Sequence, residues 1–140
     1  MINVLLVEDH ELYRMGLSML LDKSEDINLV AEAADGVIGV KKAREFSPDV
    51  ILMDIGLPNM DGIEATSVIK SKNSDIKVVI LTSHNDSQEV LNSLKAGANA
   101  YCSKEINPKR LTQVVLSVLD GASWFDPSIA HIVLEAASNY

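Results

Sequence analysis

Five polar side chains whose types suit phosphoryl or metal chemistry each follow the end of an apolar segment in this chain of 140 residues. They are Glu8, Asp9, Asp54, Thr82 and Lys104. Asp54 directly follows the uncharged run Val50–Met53 and precedes a turn with Gly56 and Pro58. An unpaired carboxylate in an apolar medium is costly, so Asp54 needs partners that offset its charge. The question is whether the fold brings the other four residues to it.

Short β-branched segments alternate along the chain with longer segments of helical spacing. The predicted strands are Ile2–Val7, Ile27–Ala33, Val50–Met53, Lys77–Leu81 and Ala98–Ser103. Asp35-Gly36, Asn107-Pro108 and Asp126-Pro127 are typical helix starts, and Gly97 and Gly121 stand where helices should end. The alternation predicts an α/β fold in which a parallel sheet of five strands has helices on both faces.

Parallel strands place their carboxyl ends at one edge of the sheet, which is where ligands bind in open α/β folds. The carboxylates of Glu8, Asp9 and Asp54 should therefore lie together, and they require a counter-charge. Oxygen ligands of this kind suit Mg²⁺, or Mn²⁺ in its place. We expect these three residues to hold the cation, with the backbone carbonyl of Gly56 as a further ligand.

A carboxylate beside a bound cation can also act as a nucleophile and form an aspartyl-phosphate. Phosphoryl transfer needs positive charge and hydrogen-bond donors around the transferred oxygens. Lys104 supplies the charge and the hydroxyl of Thr82 supplies a donor. The residue types therefore favour phosphoryl transfer to Asp54.

The composition excludes several other classes of protein. The net charge of -8 and the sequence pI of about 4.7 disfavour binding of nucleic acid by these residues. The single cysteine, Cys102, fits a reducing compartment, and we interpret it as a small core residue. No apolar run approaches the roughly 20 residues of a membrane span, and the start resembles no secretory signal. We therefore expect a cytoplasmic protein without membrane contact.

Taken in order, the motifs resemble the receiver domain of two-component response regulators over about residues 2 to 120. They are Glu8-Asp9, Met53-Asp54-Ile55-Gly56-Leu57-Pro58, Asp61-Gly62, Thr82-Ser83, Gly97-Ala98 and Tyr101-Cys102-Ser103-Lys104. The resemblance implies a flavodoxin-like doubly wound sheet with strand order 2-1-3-4-5. It also implies that Asp54 receives a phosphoryl group from a sensor histidine kinase and that the protein is not a turnover enzyme.

The same resemblance implies a conformational switch. Thr82 would move toward the new phosphoryl oxygens, and the ring of Tyr101 would turn inward into the space that Thr82 leaves. The surface of the fourth helix, the fifth strand and the fifth helix would change with them. Homodimerisation on phosphorylation is a further expectation from the family.

The last part of the chain, LDGASWFDPSIAHIVLEA, is most similar to the NarL/FixJ (LuxR-type) subgroup. We divide the chain into a receiver domain, 1–121, and a C-terminal extension, 122–140, with a helix at about Pro127 to Ala137 and no further strand. Members of that subgroup bind DNA through a C-terminal helix-turn-helix domain, which these residues lack. The chain is then either truncated or a regulator without its own output domain, and we favour truncation.

Two residues depart from the family pattern. Glu105 follows Lys104 where many receivers have proline, so the geometry of that peptide bond is open. Glu8 replaces the commoner aspartate, and its additional methylene leaves room for a water molecule between the carboxylate and the cation. Neither departure removes the charges on which the expected chemistry depends.

Other functions fit the residues less well. A phosphatase that forms an aspartyl-phosphate usually has a second aspartate where this chain has Gly56. A nucleotide- or flavin-binding protein would need a phosphate-binding loop after the first strand, but the sequence there is Glu8-Asp9-His10-Glu11. A receiver that acts as an interaction module without phosphorylation remains the main alternative.

Two further hypotheses concern residues near the expected site. Leu12, Met15 and Met19 form a second apolar stripe on the first helix, either as an overflow of the core face or as a docking surface for the kinase. His84 lies two residues after Thr82, where it could influence the attack of water on the phosphoryl group.

Overall fold

A computed structural model describes residues 1–139. Its strands are β1 (Ile2–Val7), β2 (Ile27–Ala33), β3 (Val50–Met53), β4 (Lys77–Thr82), β5 (Ala100–Ser103) and β6 (Trp124–Phe125). Its helices are α1 (Glu11–Asp22), α2 (Gly36–Phe46), α3 (Gly62–Lys72), α4 (Ser87–Lys95), α5 (Pro108–Leu119) and α6 (Ala130–Ser138). The predicted alternation of strands and helices is confirmed.

All six strands belong to one parallel sheet with the order β2-β1-β3-β4-β5-β6. The first five follow the flavodoxin-like order that was predicted. The expectation that no strand follows the fifth is wrong, because Trp124–Phe125 pairs with Ala100 and Tyr101 at the edge of β5. Two residues are too few to show a strand period, so the pattern could not indicate this element.

Both faces of the sheet are buried, as the near-continuous apolar strands require. Leu5 and Val7 of β1 point to the face that α2, α3 and α4 cover, where they pack among Ala43, Ala65 and Val90. Val4 and Leu6 of the same strand point to the opposite face, which α1 and α5 cover. Every residue of β3 is completely buried. Asp54 thus follows a rigid central strand.

Most helices begin at a side chain that accepts a hydrogen bond from the first turn. Asp35 caps α2 and Asn107 caps α5, with Pro108 as the first helical residue, so both predicted starts are confirmed. The last helix was predicted to begin at Pro127, but α6 begins at Ala130. Asp126 instead caps a turn, in which its Oδ1 accepts from the backbone N–H of Ser128, and this turn precedes the helix.

The two glycines predicted to end helices have the left-handed backbone that favours glycine. Gly97 follows α4 with φ +105°, and Gly121 follows α5 with φ +94°. The peptide bond between Lys104 and Glu105 is trans, as are the others between residues 1 and 139. Within residues 1–139, the structure contains no helix of sufficient length and apolarity to cross a membrane.

Candidate functional site

Two neighbouring strands place the acidic residues of the site side by side. Val7 at the end of β1 is paired with Met53 at the end of β3, so Glu8 and Asp54 follow partners in register. The backbone N–H of Asp54 also donates to the carbonyl of Val7 over 3.1 Å. Glu8, Asp9 and Asp54 each offer a carboxylate oxygen, and these three oxygens lie within 4.8 Å of one another. We call these three residues the acidic cluster.

The side chain of Asp54 is held by the loop that follows β3. Its side chain is nearly buried, and its Oδ1 accepts a hydrogen bond from the backbone N–H of Ile55 over 2.8 Å. The first residue of α3, Gly62, packs directly on this turn, and its N–H donates to the carbonyl of Ile55. A Cβ atom at position 62 would lie 1.8 Å from the carbonyl oxygen of Asp54, so this close approach requires glycine.

Lys104 provides the positive charge inside the acidic cluster. Its Nζ lies 3.1 Å from Oδ2 of Asp54 and also forms an ion pair with Oε1 of Glu8. The ring of Tyr13 lies beneath the ammonium group, 4.7 Å from Nζ to the ring centroid. Burial by itself lowers the pKa of Lys104, but the hydrogen bond to Glu8 and the charge of Asp54 outweigh it, so the pKa is raised. The ammonium group therefore stays charged.

Glu8 is the most deeply buried member of the acidic cluster, with 2% of its surface exposed. Burial raises its pKa and the charge of Asp54 adds to this, whereas the hydrogen bonds from Lys104 and from the N–H of His10 act in the opposite direction. The net effect is a raised pKa. A bound cation would stabilise the charged form of carboxylates crowded in this way.

Asp9 and Gly56 lie at the solvent side of the cluster, where both are exposed. Asp9 comes within reach of Glu8 and Asp54 through its carboxylate. The donor set of three carboxylates fits Mg²⁺, and the backbone carbonyl of Gly56 stays a predicted further ligand. The exposure of Asp9 leaves this side of the acidic cluster open to solvent.

Thr82 ends β4 beside β3, since Ile80 is in register with Met53. Its hydroxyl is buried and its oxygen accepts the N–H of His84 over 3.1 Å, which leaves the hydroxyl proton free to donate. The imidazole Nδ1 of His84 lies 3.2 Å from the carboxylate of Glu89. Its Nε2 would lie 3.6 Å from a Cβ at Gly56, so the ring stands at the mouth of the site.

Tyr101 already lies inward in this structure. Only 1% of its surface is exposed, and its hydroxyl donates to the carbonyl of His84 over 2.7 Å. Its ring packs in the core with Val90 of α4 and Ile129. The ring of Tyr101 is therefore already in the inward position that was expected only after phosphorylation. A movement of Tyr101 on phosphorylation stays a prediction.

Residues 4–116 match the sequence pattern of the response regulator receiver domain family. The chain belongs to that family. It is 41% identical over 128 residues to the response regulator protein VraR of Staphylococcus epidermidis, covering 91% of this chain and 61% of that protein. It is 42% identical over 134 residues to the transcriptional regulatory protein LiaR of Bacillus subtilis, covering 96% of this chain and 64% of that protein.

A solved LuxR-family response regulator from Aurantimonas sp. superposes on the receiver with a TM-score of 0.90 and 34% identity, covering 98% of each chain. The receiver is thus of the NarL/LuxR type, as its motifs indicated. The chain spans about three fifths of the length of the curated relatives it matches.

The predicted docking stripe lies on the outer side of the receiver. Leu12, Met15 and Met19 are 74%, 53% and 64% exposed, so they are not part of the core. Leu12 borders an apolar groove of about 420 Å³ between α1 and the start of α5.

Cys102 is completely buried, and burial raises its pKa to about 12, which keeps it a protonated thiol.

One group of residues near the site was missed by sequence reasoning. A polar cavity of about 280 Å³ lies beside Thr82, His84 and Lys104, and its far wall is formed by Asp126, Ser128 and Ile129 of the C-terminal extension. The dipeptide Asp126-Pro127 was interpreted as a helix start. The pairing of β6 with β5 brings Asp126 to the site. This pairing depends on tertiary contacts that local sequence does not encode.

Proposed function

We propose that this receiver accepts a phosphoryl group on Asp54 from the phosphohistidine of a sensor histidine kinase. The observation that supports this most directly is the placement of Asp54. Its carboxylate is nearly buried yet lies in contact with Lys104 and within ligand distance of Glu8 and Asp9. A carboxylate that could act as a nucleophile, an ammonium group and two further carboxylates suited to a cation thereby lie together, which supports the proposal.

In the proposed step a carboxylate oxygen of Asp54 attacks phosphorus, a P–O bond forms, and the P–N bond to the kinase histidine breaks. The bond electrons return to the imidazole of the kinase. Lys104 is already hydrogen-bonded to Asp54 Oδ2 and can hold a transferred phosphoryl oxygen, and the free hydroxyl proton of Thr82 can donate to another. When bound, Mg²⁺ supplies charge that offsets the phosphoryl oxygens and the three carboxylates of Glu8, Asp9 and Asp54.

The proposal includes no turnover of a small molecule. The position two residues after Asp54 is Gly56, which has no side chain to act as an acid or base. Hydrolysis of the aspartyl-phosphate would then depend on water that reaches the site past His84. We therefore propose a domain that catalyses its own phosphorylation and its own slow dephosphorylation.

The proposed consequence of phosphorylation is a change in partners. Relatives such as LiaR are transcriptional regulators, so we propose that the receiver controls a DNA-binding output domain and a homodimer in the cytoplasm. The docking stripe of Leu12, Met15 and Met19 is proposed as the contact for the helices of the kinase, because it is exposed on α1, the helix that follows Glu8 and Asp9 in the chain.

The direct test is the intact mass of the protein after incubation with acetyl phosphate and Mg²⁺. The wild-type protein should gain one phosphoryl group, and the gain should disappear when EDTA replaces Mg²⁺. Asp54→Asn should gain none, because its amide is not a nucleophile of this kind. Asp75→Asn is the matched control, since it removes the same charge from an exposed side chain remote from the site, and it should behave as the wild type.

A gain of mass in Asp54→Asn equal to that of the wild type would contradict the proposal. If the folded wild-type protein gains no mass at any Mg²⁺ concentration, the receiver must be interpreted as an interaction module that works without phosphorylation.

A further inference from the structure

The C-terminal extension is joined to the edge strand that leads to Lys104. We call residues 124–129 the strap. Trp124 and Phe125 pair in parallel with Ala100 and Tyr101, and the backbone N–H of Asp126 donates to the carbonyl of Tyr101 over 3.0 Å. The strap therefore covers the edge of β5 up to the residues that precede Lys104.

Both faces of the strap are anchored in the domain. Trp124 packs against the core beside α5, and the guanidinium group of Arg110 lies 5.3 Å above its ring. Phe125 and Ile129 pack on the opposite face with Tyr101, and Ile129 is only 2% exposed. Burial of an apolar side chain such as Ile129 stabilises the folded state, so the strap is held by its own packing.

Asp126 is the point at which the strap contacts the site. Its Oδ2 accepts the backbone N–H of Ser103, the residue before Lys104, over 3.2 Å. Its Oδ1 accepts two hydrogen bonds from Ser128, from the N–H over 3.0 Å and from the hydroxyl over 2.9 Å. One carboxylate thus ties the end of β5 to the start of the tail helix.

We propose that Asp126 is a positioning residue for Lys104, so that the C-terminal extension and the phosphorylation site are energetically coupled. This inference rests on the proposed phosphorylation of Asp54. Two successive backbone N–H groups are held at the end of β5: the N–H of Lys104 donates to the carbonyl of Thr82 over 3.0 Å, and the N–H of Ser103 donates to Asp126 over 3.2 Å. If the second attachment is lost, the end of β5 gains freedom and the ammonium group is less well aimed at the phosphoryl oxygens.

The coupling acts in both directions, because the effect of one site on another is reciprocal at equilibrium. A phosphoryl group that draws Lys104 and Thr82 toward Asp54 must also change the free energy of the contact between Ser103 and Asp126. Residues beyond the strap continue into α6. The strap therefore connects the end of β5, beside the phosphorylation site, to α6.

The test measures the rate of phosphorylation of the full chain by acetyl phosphate as a function of Mg²⁺ concentration. Asp126→Ala should lower the maximal rate about tenfold, because small displacements of a positioned group are costly to catalysis. Asp126→Asn retains one acceptor oxygen and should fall between Asp126→Ala and the wild type. The Mg²⁺ concentration for half the maximal rate should not change, since Asp126 contacts no member of the acidic cluster.

Two variants serve as controls. Ser128→Ala removes the hydroxyl hydrogen bond to Asp126 but leaves Ser103 bound, so it reports a loss of loop stability alone. Asp120→Asn makes the same change in charge at an exposed side chain at the end of α5. Both should phosphorylate at the wild-type rate. If Asp126→Ala does not fold, Asp126→Asn provides the comparison.

Trp124 supplies a second readout, since it is the only tryptophan of the chain and lies in the strap. Its fluorescence should change on complete phosphorylation of the wild type and change less in Asp126→Asn. Equal maximal rates in the wild type and both Asp126 variants, or a Trp124 emission that phosphorylation leaves unaltered, would overturn the coupling but leave the proposed function intact. A wild-type protein that gains no phosphoryl group would overturn both.

Discussion

Lys104 determines the charge balance of the site at the scale of single residues. It contacts the two most buried carboxylates, those of Glu8 and Asp54, and among residues 1–139 no other side-chain cation forms an ion pair with either carboxylate group. When no cation is bound, the ammonium group offsets part of the negative charge that a divalent cation would otherwise offset. A buried carboxylate that loses its only ionic partner is strongly destabilising.

We predict that Lys104→Met lowers the free energy of unfolding in EDTA by about 3 kcal/mol. Added Mg²⁺ should restore more stability to this variant than to the wild type, because the cation replaces the missing charge. Urea denaturation with and without Mg²⁺ measures both effects. Lys95→Met is the control, since Lys95 is exposed on α4 without an ion pair among the described residues. Equal unfolding midpoints for the two variants would contradict the prediction.

His84 is the residue that stands between solvent and the proposed phosphoryl group. Its Nδ1 is oriented by Glu89, which leaves Nε2 toward the opening beside Gly56. If Nε2 accepts a proton from the attacking water, His84→Ala should lengthen the lifetime of the aspartyl-phosphate by about tenfold or more. Glu89→Gln should lengthen it less, and His131→Ala on α6 should not change it. The decay of the phosphorylated mass measures the lifetime, and an equal lifetime in His84→Ala would refute this role.

At the scale of elements, the site depends on how closely α3 approaches the end of β3. Gly62 permits this approach, whereas Gly16 in α1 has open space around the position of a Cβ atom. The two glycines therefore form a matched pair for substitution by alanine, one tightly packed against the site and one in an exposed helix.

We predict that Gly62→Ala lowers the free energy of unfolding by about 1–3 kcal/mol, since an overpacked position forces the backbone to shift. It should also slow phosphorylation, because the carbonyl that must move belongs to Asp54. Gly16→Ala should raise the stability by about 0.5–1 kcal/mol, as expected for a glycine inside a helix. Thermal unfolding and phosphorylation rates decide the matter, and a Gly62→Ala protein as stable as the wild type would show that the turn can adapt.

The elements also show how far sequence could predict this structure. The β-branched runs of β1 and β3 and the caps Asp35 and Asn107 are local signals, so the sheet and most helix starts were predictable. β6 was not, because a two-residue strand forms only where β5 offers an edge. The inward position of Tyr101 was also not predictable, since it depends on packing with residues distant in sequence.

At the scale of the whole molecule, the receiver presents an apolar surface on α1 that its own core does not cover. The docking stripe lies on α1, the helix that follows Glu8 and Asp9 of the acidic cluster in the chain. Sequence periodicity predicted the stripe, and its exposure indicates that it is not an overflow of the core. Its role toward a kinase stays a prediction.

We predict that Met15→Glu combined with Met19→Glu slows transfer from the cognate kinase at least tenfold, because two charges would be buried in an apolar contact. Phosphorylation by acetyl phosphate should be unchanged, since this small donor needs no docking surface. Substitution of the exposed Leu134 on α6 by glutamate is the control. Kinase transfer at the wild-type rate in the folded double variant would contradict the docking role.

We expect Asp54, and no other residue, to form the acyl phosphate. Borohydride reduces an aspartyl-phosphate to homoserine, and tryptic cleavage after Arg44 and Lys70 would release one peptide, residues 45–70, with Asp49, Asp54 and Asp61 together. Fragmentation of this peptide after treatment with acetyl phosphate, Mg²⁺ and borohydride locates the modified residue. We predict homoserine at position 54 alone. Homoserine at position 49 or 61, or an unmodified peptide from a protein that has gained a phosphoryl group, would contradict it.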